Sequence, residues 1–207
     1  MTVRVGTGRL AVDGGTAVRA EDNPLPGVFP REIPPNSRRE LDRVVESGFT
    51  VDSIGEFESA FADACGIKHA VALANCTSAI HTVIGALGLG RGDEVVVSPI
   101  TDYGSVAGVV AQGAKAVFPD VDVRTGNVTA ETIEEVVTSK TKAIVAVHFY
   151  GMLCDMDPII DLSRECGITL IEDVCQAPLA RYKGRIAGAM GDVGCFSFDA
   201  EKHLSTD

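Results

Sequence analysis

Two hydrophobic rhythms alternate along most of this chain. Gly55 to Cys65 (GEFESAFADAC) sets Phe57, Phe61 and Ala64 at helical spacing. His69 to Ala74 (HAVALA) is strand-like, and Thr77 to Leu87 is helix-like. A strand over Glu94 to Ser98 is followed by a helix of small residues around Ser105 to Gln112. Ala116 to Phe118 gives a short strand, Ala130 to Thr138 a helix, and Ala143 to His148 (AIVAVH) a β-branched strand with no polar face. Pro158 to Cys166 reads as a helix with Asp157 as its N-cap, and Ile168 to Ile171 and Cys195 to Phe198 as further strands. Strands that are apolar on both faces, separated by helices, predict an α/β fold with a mostly parallel central sheet flanked by helices. Such sheets gather their chemistry at the C-terminal ends of the strands. Asn75 to Ser78, Thr101 to Tyr103, Asp173 and Gln176 fall there.

The first 36 residues, rich in Gly, Pro and charge, read as an arm or irregular lead-in, and residues 37–207 as one domain. Hydrophobic residues make up 45% of the 207 and charged residues 23%, as in an ordinary globular chain. The net charge of −11 excludes a surface built for nucleic acid or anionic membrane, because Lys and Arg are too few to neutralise many phosphates. One phosphate can still be held by backbone N–H groups and hydroxyls. None of the six cysteines forms a C-x-x-C pair, and most sit among apolar neighbours, which predicts reduced thiols in a cytoplasmic protein. No apolar run reaches bilayer length, and the N-terminus has no apolar signal core.

Three stretches carry candidate chemistry. Asn75-Cys76-Thr77-Ser78-Ala79 follows a strand and opens a helix. A helix cap explains it, and free N–H groups beside the Thr77 and Ser78 hydroxyls would also make a phosphate cup. Asp173 ends the run Ile168-Thr169-Leu170-Ile171-Glu172, with Gln176 three residues on; strand alternation turns Glu172 to the opposite face. Lys202 follows the apolar run that contains Ser197. An isolated lysine is usually a solvated surface charge. In company with a carboxylate at a strand end and phosphate-binding hydroxyls, it completes the set that pyridoxal phosphate (PLP) needs: a Schiff-base amine, a partner for the pyridine nitrogen and a phosphate site. Gly85 to Gly90 is not a nucleotide fingerprint, because it follows a helix rather than a strand. His69, His81 and His148 have no partner at metal-ligand spacing, so no metal site is expected.

The order of the segments FESAFADACGIKHAVALANCTSAI, GDEVVVSPIT, GAKAVFPDVD, TKAIVAVHFYG, DMDPI, LIEDVCQAPLARYKG and GDVGCFSFDAEKHLST resembles the DegT/StrS-type sugar aminotransferases. The resemblance runs from about Val12 to Thr206. It implies the three-layer large domain of the PLP-dependent transferase fold, a homodimer, and PLP as cofactor. By position it makes Lys202 the PLP lysine and Asp173 the pyridine-nitrogen partner. It sets Gln176 beside the phenolic oxygen, and Ser197, Thr77 and Ser78 at the phosphate.

The family often has an aromatic ring after the second of these strands. Here the run is Thr101-Asp102-Tyr103, which leaves Tyr103 as the candidate to cover the cofactor ring. A dehydratase branch has histidine in place of the lysine; position 202 is Lys, with His203 following, which favours transamination. The implied reaction moves an amino group from glutamate or glutamine to a keto sugar or keto cyclitol in nucleotide-sugar or natural-product biosynthesis. Elimination or aromatisation, or a non-catalytic large-domain protein, are the alternatives. Family members are about twice as long, and a small C-terminal domain is expected to be missing after Asp207.

Overall fold

The computed structural model describes residues 34–204. Most of the expected lead-in and the stretch Ser205-Thr206-Asp207 lie outside the described residues. The chain divides into two compact units, one ending at Phe49 and the other beginning at Thr50. The first carries helix α1 (Ser37–Glu46), a charged helix with no buried residue. Leu41, Val44 and Val45 stand at helical spacing on it, a signal that the sequence reading, with its first helix at Gly55, passed over.

The second unit holds α2 (Ser53–Cys65), α3 (Cys76–Ala86), β1 (Glu94–Val97), α4 (Gly104–Ala111), β2 (Lys115–Val117) and α5 (Ala130–Glu134). It continues with β3 (Thr141–Val147), α6 (Met156–Cys166), β4 (Thr169–Asp173), the hairpin strands β5 (Arg181–Tyr182) and β6 (Arg185–Ile186), and β7 (Val193–Cys195). Strands β2-β1-β3-β4-β7 form one sheet in which every pairing is parallel. The register sets Val147 opposite Asp173 and Asp173 opposite Cys195, so three strand ends meet along one edge.

Both faces of the sheet are covered. Val95, Val97, Val145, Val147, Ile171 and Cys195 pack with Ile80 and Ile84 of α3 and Val109 of α4. Val96, Ile144, Ala146 and Leu170 pack with Ile133 of α5 and Met156, Ile159 and Ile160 of α6. This is the expected three-layer α/β arrangement, and burial on both sides is why these strands read as unbroken apolar runs.

Four local expectations need correction. The strand expected over Cys195 to Phe198 lies earlier, as β7 at Val193–Cys195, and Phe196 to Phe198 fall beyond its end. His69–Ala74 forms no strand: Val71 is 75% exposed, and no described strand pairs with it. Its β-like composition has no ladder partner among the described residues, and a strand exists only by pairing. Helix α6 begins two residues before the expected Pro158, with Asp155 at the cap. Asp157 lies inside the first turn and pairs with Lys183 (2.6 Å) and with Arg185 of the β5–β6 hairpin. The helix expected over Ala130–Thr138 is regular only to Glu134; its Thr129 capping box forms as a reciprocal pair with Thr132. No helix among the described residues is long and apolar enough to cross a membrane.

Candidate active site

Strand alternation separates the two acidic residues that end β4. Asp173 faces the α3–α4 layer with Ile171, and Glu172 faces the α6 layer with Leu170. Asp173 is buried. Its Oδ2 accepts a hydrogen bond from Ser105 Oγ at 2.6 Å, and its Oδ1 accepts from the Cys175 N–H at 3.1 Å. Thr101 Oγ1 lies 2.6 Å from Ser105 Oγ. Ser105 has one hydroxyl proton and gives it to the carboxylate, so Thr101 donates to Ser105. The result is a hydroxyl relay that runs from the start of α4 to the end of β4.

Helix α3 opens beside this carboxylate. Asn75, in extended conformation, caps the helix by accepting from the Ser78 N–H at 2.8 Å. The Cys76 and Thr77 N–H groups belong to the first turn and have no intrahelical acceptor. Thr77 is exposed and Ser78 half-buried. Gly104, at the start of α4, makes room for the Thr77 hydroxyl: a Cβ there would lie 2.7 Å from Thr77 Oγ1. The thiols of Cys76 and Cys175 and the Asp173 carboxylate bring one donor atom each within 4.8 Å of one another. Contact with Cys76, burial and the Asp173 charge all push the Cys175 thiol up, so it stays protonated.

Gln176 is half-buried, and its Oε1 accepts from the Tyr150 N–H at 2.8 Å. Tyr150 holds a left-handed backbone (φ 47°), unusual for a bulky residue, and this hydrogen bond helps fix it. With the amide oxygen engaged, the Gln176 NH2 end is the part left to meet an acceptor such as a phenolic oxygen. Ser197 follows β7, where Phe196 and Phe198 pack edge-on against Phe61 of α2 at ring distances of 4.9 and 5.4 Å. Phe57 packs against Phe61 and Phe198, so an aromatic cluster anchors the segment that carries Ser197.

Lys202 lies in the turn beyond, half-buried, its N–H donating to the Asp199 carbonyl at 2.8 Å. Its amine makes no hydrogen bond or ion pair with the described residues. Tyr103 is 72% exposed at the N-cap of α4.

The structure therefore brings together Asp173, Ser105, Thr101, the α3 N-terminus with Thr77, and two thiols. It documents no direct contact from Lys202, Ser197, Gln176 or Tyr103 to that group. Ser105, Cys76 and Cys175 were not among the expected site residues. The one local signal for Ser105 is its place four residues after Thr101, one helical turn on. The donor set fits PLP: a buried carboxylate for a protonated ring nitrogen, open N–H groups and a hydroxyl for a phosphate, and an uncommitted lysine amine. The site needs no metal for that fit.

The sequence matches the DegT/DnrJ/EryC1/StrS aminotransferase family over residues 33–207. It is 44% identical over 173 residues to the GDP-perosamine synthase of Caulobacter vibrioides, covering 81% of this chain and 47% of that protein. The aminotransferase from Psychrobacter cryohalolentis superposes with a TM-score of 0.81 at 41% identity, over 84% of this chain and 45% of that one. A sugar-aminotransferase candidate from Streptococcus pneumoniae, solved in a PLP form and a PMP form, gives a TM-score of 0.80 at 27% identity in both, over 86% of this chain and about half of that one. The chain spans about half the length of the curated relatives it matches. With fold, segment order and family match in agreement, the chain belongs to the DegT/DnrJ/EryC1/StrS aminotransferase family.

Proposed function

We propose that residues 37–207 are the cofactor-binding large domain of a PLP-dependent aminotransferase acting on a keto sugar or keto cyclitol. The observation that carries this reading is the buried Asp173 carboxylate, held by Ser105 and standing beside the open N-terminus of α3. PLP, when bound, supplies an electron sink for the bond broken at the amino donor's Cα.

The chain's own residues do the rest. Asp173 keeps the ring nitrogen protonated by charge and hydrogen bonding. Thr77, Ser78 and Ser197, with the first-turn N–H groups of α3, hold the phosphate. Gln176 offers its NH2 group to the phenolic oxygen. Lys202 would hold the cofactor's aldehyde end and, with its amine free, would move the proton at the Cα of glutamate or glutamine. The similarity to a perosamine synthase supports a sugar ring ketone as acceptor. The reading includes a homodimer in which the partner subunit completes the site.

The test is an absorbance band near about 420 nm in a PLP-supplied preparation, lost on borohydride reduction with the label mapped to Lys202. Lys202→Ala should abolish both the band and the label. A PLP-supplied full chain with neither would overturn the reading. Product analysis with a keto substrate separates transamination from elimination or aromatisation.

A further inference from the structure

We propose that Cys76, Cys175 and Asp173 form a binding site for a thiophilic divalent cation of the zinc class, and that this cation and PLP exclude one another. The three residues come from two elements that meet only in the fold: Cys76 from the first turn of α3, and Asp173 and Cys175 from the end of β4 and the loop after it. One Sγ, a second Sγ and one carboxylate oxygen lie within 4.8 Å of one another. A tetrahedral zinc, with Zn–S of about 2.3 Å and Zn–O of about 2.0 Å, sets its donor atoms roughly 3.5–3.8 Å apart. Small side-chain rotations therefore close the three around one ion, and the fourth position stays open to water.

The site is built rather than incidental. Cys76 and Asp173 are buried, and Cys175 is half-buried, so it leaves a way in. Ser105 Oγ and the Cys175 N–H already fix the orientation of the carboxylate, as outer partners fix the ligands of metal sites. Each carboxylate oxygen takes only one of these bonds and keeps a lone pair for a metal.

A thiol coordinates a metal as its thiolate, so each one that binds gives up its proton to solvent. Two thiolates and one carboxylate favour zinc-class ions over magnesium or calcium, which take oxygen ligands.

The exclusion follows from Asp173. A divalent cation on Asp173 offsets the carboxylate charge that a protonated ring nitrogen needs and repels that nitrogen's own charge, so the two compete for one group. Unlike the metal site itself, the exclusion rests on the reading of Asp173 as the ring partner.

The test uses the full chain, purified without PLP under a non-thiol reductant and titrated with Co2+. One equivalent should give a thiolate-to-cobalt charge-transfer band and the visible bands of a tetrahedral site, both erased by Zn2+. Cys76→Ser and Cys175→Ser should each weaken the band and lower Zn2+ affinity by roughly 10–100-fold. Cys166→Ser, at an exposed thiol on α6, should change neither. No thiolate-to-cobalt charge-transfer band overturns the metal site without touching the proposed aminotransferase reading. Co2+ and PLP bound together, each at undiminished affinity, would overturn the exclusion and leave the metal site standing.

Discussion

Glu172 and Asp173 are neighbours with the same functional group, yet the fold treats them oppositely. Glu172 is fully buried and takes four N–H donors: the backbones of Gly188, Met190 and Gly191 at 2.7–2.9 Å, and His148 Nε2 at 3.0 Å. The Cys154 N–H donates to His148 Nδ1, so the ring's proton sits on Nε2 and the ring is neutral. Burial raises the Glu172 carboxyl, but these hydrogen bonds outweigh it and the net shift is downward from 4.5. Burial, reinforced by the Glu172 charge, pushes the Cys154 thiol up to about 12. Asp173 has two donors, two thiols and an open helix terminus beside it. The difference teaches how to sort acidic residues at a strand end. A carboxylate whose acceptors are saturated by backbone N–H groups is structural, and one left with spare lone pairs at the sheet's C-terminal edge is available for chemistry.

The largest effect should come from breaking the saturated side. Glu172→Ala leaves three backbone N–H groups and an imidazole N–H unpaired in a dry site, and should cost about 3–5 kcal/mol of stability. For a chain of this size that lowers Tm by roughly 6–20 °C, measurable by calorimetry. The pH dependence has a fixed sign. Because the folded-state pKa of Glu172 is depressed, its contribution is complete above about pH 4.5 and is lost as pH falls through its lower folded value. The stability gap between wild type and Glu172→Ala should therefore narrow below pH 4.5 and stay level between pH 5 and 8. A gap that varies across the neutral range would mean that His148, not Glu172, sets it.

The loop that grips Glu172 is itself held by a close backbone approach. A Cβ on Gly194 would press into the Gly188 backbone, and one on Gly191 would lie 2.7 Å from the Leu170 carbonyl. Gly194→Ala should cost about 1–3 kcal/mol by forcing β7 off the loop. Urea denaturation should show a lower midpoint with an unchanged slope.

How much of this was legible in the sequence differs between the two carboxylates. Alternation along β4 was enough to turn Glu172 and Asp173 to opposite faces, because the period of a strand is local. The partners of Glu172 were not legible. The stretch Gly188–Gly191 lies 16 to 19 residues on and is joined to it by loop geometry alone. His148, which has no partner at metal-ligand spacing in the sequence, is buried, and its carboxylate lies across the β3–β4 pairing rather than along its own strand. The alternation of strands and helices along the chain was readable because parallel strands buried on both faces print unbroken apolar runs. The extended run at His69–Ala74 misled for the same reason: apolar composition announces a strand, but pairing creates one. Cys76 and Cys175 stand 99 positions apart, and no spacing rule could have joined them.

On the unsaturated side the effects should fall on cofactor binding more than on stability. Asp173→Asn removes the charge; its one oxygen can still accept from the Cys175 N–H while its NH2 group turns to Ser105 Oγ, which then accepts. Losing a charge-assisted hydrogen bond of about 1.5–3 kcal/mol should weaken PLP by roughly 10–150-fold in the full chain. The loss of stability should be no more than about 1 kcal/mol. Spectrophotometric titration at the PLP band reads the first, and thermal melting without PLP reads the second. Equal losses in both measurements would erase the distinction between the two carboxylates.

The smallest effects should grade along the hydroxyl relay. Ser105 gives its only proton to Asp173, and Thr101 gives its own to Ser105. Ser105→Ala removes one net hydrogen bond, about 1 kcal/mol, so PLP should weaken about fivefold. Thr101→Val keeps the shape and removes only the outer donor, which acts on Asp173 by polarising Ser105. A cooperative strengthening of about 10–30% per bond predicts a change of less than about twofold. Ser105→Thr, which restores the hydroxyl, should recover most of the Ser105→Ala loss. The ordering Asp173→Asn, then Ser105→Ala, then Thr101→Val is what a chain of donors aimed at one carboxylate must give. If Thr101→Val equals or exceeds Ser105→Ala, Thr101 meets the cofactor itself, and the relay is a pair of independent contacts.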